Sequence, residues 1–182
     1  GDGAAAMNRT NWGDAAKILA ACSGYEGVAP AFLNALAGTV TGANTVAINT
    51  GGAMVDGRPY QNDASLNVNI PSAVGGGFTR IDRIVLRASW AAQTVRITRI
   101  AGTDAASPTA PAITQTPGTT YDIMLYQALV NTGGTVTLTD ERVLASPVKY
   151  RQGGSATNWN TKGTTNYKPT SPITQCGTVE WT

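Results

Sequence analysis

Four aromatic residues in polar surroundings offer the best chemical prospects in this sequence: Tyr60, Trp90, Trp159 and Tyr167. An aromatic side chain with a polar end can stack on a sugar or anchor a partner protein. Tyr60 follows an Asp-Gly turn, Trp90 stands at the tip of a hairpin, and Trp159 and Tyr167 sit in a Gly/Asn/Thr-rich tail. Trp90, Trp159 and Tyr167 are the candidate glycan or partner contacts. For Trp159 and Tyr167, contact with another chain is preferred over a glycan site. The plain alternative is packing, and it is the expectation for Tyr121, Tyr126 and Trp181.

The ionisable residues offer less. There is no histidine, which removes Ser-His-Asp and Cys-His nucleophilic schemes, imidazole bases and the commonest zinc ligand. No P-loop or dinucleotide-binding glycine motif occurs; the glycines of GGAMVDG and GGGF are turn glycines without the strand–helix context that phosphate binding requires. Asp140 and Glu141 are adjacent, so on a strand they point to opposite faces and form no acid/base pair. Asp122, Asp140 and Glu141 lack the spacing of a calcium loop. Cys22 and Cys176 stand far apart and outside metal spacing; buried free thiols are preferred to a disulfide. Neither metal nor cofactor is expected. A glycan-degrading enzyme using separated carboxylates is the least favoured functional class.

What must position Trp90 is the hairpin at residues 79–99, TRIDRIVLRASWAAQTVRITR. Arg83, Val85 and Arg87 alternate with Ile84, Leu86 and Ala88, and Val95 and Ile97 alternate with Arg96 and Thr98. This two-residue period separates a core face from a wetter one, and Ala91-Ala92-Gln93 supplies the loop. Upstream, Asn11 and Asp14 resemble a capping box before Ala15, Ile18, Leu19 and Cys22, with Gly24 as the stop. Pro30 opens a second short helix carrying Phe32, Leu33 and Leu36, ended by Gly38.

From Thr39 the period becomes two. Strands are expected at residues 45–48, 53–55 and 65–70, with Asp56-Gly57 as a tight turn and Gly75-Gly76-Gly77 as a connector. Residues 102–120, with Pro108, Pro111 and Pro117, read as a long crossing loop pinned to the surface. Strands follow at residues 121–130 and 135–138, and Asp140-Glu141-Arg142 closes the unit. This makes six or seven strands, spaced as in a small sandwich or barrel. Residues 149–168 show no period, and residues 173–181 alternate again. A strand that ends without a partner implies further chain or another subunit.

The expected fold is therefore mainly β: an antiparallel β-sandwich-like domain with two short N-terminal helices and an extended C-terminal β segment. Three regions follow: a helical attachment segment at residues 1–38, the β domain at 39–148, and a junction at 149–182. Hydrophobic content of 42%, charge of 13% and 21 glycines suit a β-rich, turn-rich chain and not a disordered one. The net charge is +2, with residues 80–101 strongly positive through five arginines against one aspartate. A dedicated nucleic-acid binder is usually far more basic, so the arginines are expected to pair with the acidic segments. No apolar run reaches the length of a membrane span and no secretory signal is seen, so membrane insertion is not expected.

Three runs carry a family resemblance: GGAMVDGRPYQND, RIDRIVLRASWAAQTVRITRIAGTDAASPTAPA and YDIMLYQALVNTGGTVTLTDERV. Together they resemble a domain common in tailed-bacteriophage tail-fibre and baseplate proteins, over about residues 39–145. The tail RQGGSATNWNTKGTTNYKPTSPITQCGTVEW is similar to the junction that in phage fibres leads to a receptor-binding tip. The resemblance implies a virion structural component, extracellular after release, that supports host-adhesion elements as a homotrimer beside other tail or baseplate proteins. It implies no catalysis, and the ribbon's arginines would pair within the trimer. Recognition of a host cell-surface saccharide is the alternative reading.

Overall fold

The computed structural model describes Ile18 and residues 26–145. Every described residue belongs to one compact unit. The expected first helix lies outside the described residues, Ile18 excepted, as do Cys22, Cys176 and the expected C-terminal strand.

Among the described residues eleven strands form: β1 (Gly27–Val28), β2 (Gly38–Gly42), β3 (Thr45–Ile48), β4 (Gly51–Val55), β5 (Arg58–Asn62), β6 (Leu66–Asn69), β7 (Arg80–Ser89), β8 (Thr94–Ile100), β9 (Gln115–Thr116), β10 (Thr120–Val130) and β11 (Val136–Asp140). They make three antiparallel sheets, ordered β1-β4-β5, β2-β3-β6 and β11-β10-β7-β8, with β9 beside β10. Ten strands begin between Gly38 and Val136, more than the six or seven expected, because β2, β5 and β9 lack an apolar alternation to announce them. Among the described residues no helix is long and apolar enough to cross a membrane.

The hairpin of β7 and β8 runs from Arg83 opposite Ile100 to Ser89 opposite Thr94. Its period of two is realised in part: Ile84, Leu86 and Ala88 are fully buried and Arg83 and Arg87 on the other face are half-buried, but Val85 between those arginines is fully buried as well. On the other side β10 pairs with β7 along its length, slipping at Leu125 so that Ile123 opposes Leu86 and Tyr126 opposes Ile84. The Leu125 carbonyl accepts the Glu141 N–H at 2.9 Å, carrying the β10–β11 register one residue past Asp140. Buried Val46, Ile48, Val55, Leu86, Leu125 and Val130 belong to one core cluster drawn from all three sheets. A second cluster joins Ile18, Ala29, Phe32, Met54 and Ala145, so β4 is buried on both faces.

The expected helix from Pro30 to Gly38 is not formed. Ala31, Leu33, Ala35 and Leu36 all adopt left-handed backbone, with φ from 48° to 58°. The segment folds as successive turns pinned to β4's approach: the N–H groups of Asn34 and Leu36 both donate to the Thr50 carbonyl, and Asn49 N–H donates to Ala37. A helix of two turns cannot repay its own nucleation, and bonds to the neighbouring chain with burial of Phe32 and Leu36 win. Gly51 makes this approach possible, since a Cβ there would meet the backbone nitrogen of Leu36.

The expected loop at residues 102–120 is mostly irregular, but Ala105 bridges Thr79, β9 pairs with the start of β10, and Thr120 already belongs to β10. Thr114 and Asp122 exchange backbone and side-chain bonds, and Arg83 donates to the Pro111 carbonyl at 2.5 Å.

Candidate functional site

The Asp56-Gly57 turn, with φ of 44° and 74°, is the two-residue left-handed type that matches strand twist. It delivers Arg58 as the first residue of β5, opposite Val55. At the far end of the ribbon, β7 stops at Ser89 and the chain turns through Trp90–Gln93, where Gln93 takes a φ of 52°. The turn is tied down: Trp90 N–H donates to Thr119 at 3.1 Å, and Ala92 N–H donates to Ser89 Oγ at 3.3 Å.

These two turns bring Arg58 and Trp90 together. The guanidinium carbon lies 3.8 Å from the centroid of the Trp90 ring, a cation–π contact, while the indole packs against the main core cluster. Between β5 and the ribbon's tip opens a cleft of about 580 Å³, lined by Arg58, Tyr60, Gln61, Trp90, Gln93 and Thr94 among others. Its volume is in the usual range for small-ligand sites. Arg58 Nη1 donates to the Asp56 carbonyl at 3.1 Å, and the nearest Asp56 carboxylate oxygen is 3.7 Å away. With 40% of its side chain exposed, the guanidinium remains open to solvent.

Of the expected contact residues, Trp90 and Tyr60 meet in this cleft, whereas Trp159 and Tyr167 lie outside the described residues. Trp90 is both packing anchor and cleft wall. Tyr126 is packing alone: its hydroxyl accepts from Gly38 N–H at 2.7 Å and donates to the Leu36 carbonyl at 3.1 Å. Burial, partly offset by that amide and by Arg142, pushes its phenol up. Tyr121 donates to Glu26 at 3.1 Å.

Four of the ribbon's arginines are bound to carboxylates of this chain. Arg87 forks onto Asp122, Nε to Oδ1 at 2.7 Å and Nη2 to Oδ2 at 2.9 Å. Arg83 forks onto Glu141 at 2.9 and 3.1 Å. Arg80 and Arg99 share Asp82, each with a bond of 2.7 Å, and Gly102 N–H adds a third donor. Burial alone would raise the Asp82 carboxyl; the bonds from Arg80, Gly102 and Arg99 outweigh it and hold the group below its ordinary value. Pairing across a trimer interface is thus not needed for these four. Asp140 belongs to Arg142 and Glu141 to Arg83 and Gln127, so the two adjacent acids serve separate partners. Among the described residues no group of three His, Cys, Asp or Glu is placed to hold a metal ion.

A comparison with known protein families, curated proteins and solved structures returns no match. The sequence pointed to Trp90 and Tyr60 but not to Arg58, Gln61, Gln93 or Thr94. No local pattern announces that the residue after one turn will cover the ring at another.

Proposed function

We propose that this chain is a non-catalytic supporting module of a tailed-bacteriophage tail fibre or baseplate, positioning host-adhesion elements as a homotrimer on the virion. The observation that carries the reading is the use of Arg80, Arg83, Arg87 and Arg99 as internal ties. Each joins a strand of the ribbon to a carboxylate of the ribbon itself, of β10 or of the segment just past β11, and one also holds a crossing-loop carbonyl. Such ties stiffen a scaffold. The finer architecture belongs to the same proposal: the two three-stranded sheets lie over the inner face of the larger sheet as an antiparallel β-sandwich-like domain. The sequence resemblance over about residues 39–145 supplies the phage context.

Light scattering coupled to size exclusion tests the assembly. At micromolar concentration the expected mass is three times the 18.8 kDa of the chain. A monomer overturns the trimer. Antibody labelling of virions checks the placement, and label confined to the tail is expected.

A second reading, recognition of a saccharide, is favoured by one feature, the open cleft where Arg58 stacks on Trp90.

A further inference from the structure

Arg58 is set unlike the carboxylate-bound arginines. Arg80, Arg83, Arg87, Arg99 and Arg142 each donate to a carboxylate at 2.9 Å or less. Arg58 has its nearest carboxylate oxygen at 3.7 Å, beyond hydrogen-bonding reach, and is fixed instead by the indole beneath it and by one bond to the Asp56 carbonyl. A guanidinium stacked on an aromatic ring has given up much of its rotamer freedom before any ligand arrives. It has five donors in a planar fork, of which the Asp56 carbonyl takes one.

The surroundings define what such a group would hold. Gln61, Gln93 and Thr94 bring amide and hydroxyl groups to the same cleft, and Tyr60 adds an aromatic wall with a hydroxyl. That mixture suits a ligand rich in hydroxyls with a flat side, which is a sugar ring. The charge is a single guanidinium with Asp56 close by, so it matches one carboxylate better than a phosphate dianion, which is usually met by clustered arginines. The cleft's volume of about 580 Å³ has room for a short oligosaccharide.

We propose that the cleft between β5 and the Trp90–Gln93 turn binds an acidic saccharide, with Arg58, stacked on Trp90, gripping the sugar carboxylate and Gln61, Gln93 and Thr94 meeting its hydroxyls. The site goes beyond the scaffold role and does not depend on the oligomeric state. An acidic peptide is the competing occupant.

The test is titration calorimetry on the full chain with three probes: trigalacturonate, neutral galactotriose and pentaglutamate. Trigalacturonate is expected to bind at least about tenfold more tightly than galactotriose, the loss of one charge-assisted fork. Arg58→Gln should reduce its affinity to that of the neutral sugar while the melting temperature stays near that of the parent. Because Trp90 also packs on the core, Trp90→Phe replaces the alanine variant; it should keep the fold and weaken trigalacturonate several-fold. Three results would overturn the site: no heat with trigalacturonate up to about 10 mM, equal affinity for the neutral sugar, or undiminished binding by a folded Arg58→Gln chain. Tighter binding of pentaglutamate than of trigalacturonate would replace the saccharide with a peptide.

Discussion

Arg80 and Asp82, two residues apart on β7, form an ion pair with Nε 2.7 Å from Oδ1, the guanidine side chain 10% exposed and the carboxylate not at all. The same carboxylate takes Arg99 at 2.7 Å and Gly102 N–H at 2.9 Å, while Arg80 also reaches the carbonyls of Pro71 and Ser72 and, at 3.4 Å, Asp104. One pair thus ties the loop before β7 and the loop after β8 to the same end of the ribbon.

Replacing Asp82 with asparagine leaves two guanidinium groups facing a neutral amide in a dry setting. Breaking a buried pair by removing one partner costs about 3–5 kcal/mol. Urea denaturation of Asp82→Asn should show a loss of that order, and a loss within experimental error would mean that the knot is ornamental.

Acid should unfold the domain through the same group. The Asp82 carboxyl is held below its ordinary value by its three donors against the pull of burial, and Asp140 is held below by Arg142. A lowered folded-state value contributes stability that is present above the unfolded value of about 3.9 and is lost as pH falls through the folded value. The urea midpoint should therefore hold between about pH 7 and 5 and decline below about pH 4, with a shallower decline in Asp82→Asn.

Tyr126→Phe removes one oxygen that serves two backbone groups, the Gly38 N–H and the Leu36 carbonyl. Leaving buried polar groups unpaired costs about 1–3 kcal/mol. Hydrogen exchange should show faster opening of the Gly38 amide in the variant, which a loss of packing alone would not single out.

Two glycine replacements separate close approach from ordinary strand preference. Gly51→Ala drives a methyl into the Leu36 backbone, and overpacking of this kind costs about 1–3 kcal/mol or more. At Gly42 an added Cβ meets nothing within 4 Å, so Gly42→Ala should melt at or slightly above the parent. Equal losses in both would count against the packed contact between the turns after Pro30 and β4.

The β7–β8 ribbon, the Asp56-Gly57 turn, the surface crossing and β10 were all legible, because each rests on short-range rules: a period of two, a turn pair that tolerates left-handed backbone, prolines that forbid regular pairing. The segment after Pro30 was misread for the complementary reason. Its apolar spacing fits a helix turn by turn, yet its amides bond to Thr50, a partner that no local window contains.

By itself the sequence determined which faces would be apolar and where the chain must turn, since side-chain alternation and turn chemistry are properties of neighbouring residues. Tertiary structure alone decided which charges would meet and what would stand in the cleft. Arg83 finds Glu141, 58 residues on, and Arg58 covers a ring 32 positions away, because the pairing of distant strands, not their composition, sets those distances. The aromatic at the ribbon's tip was visible from the start. The guanidinium on top of it was not, and it is that guanidinium which turns a packing anchor into a candidate binding site.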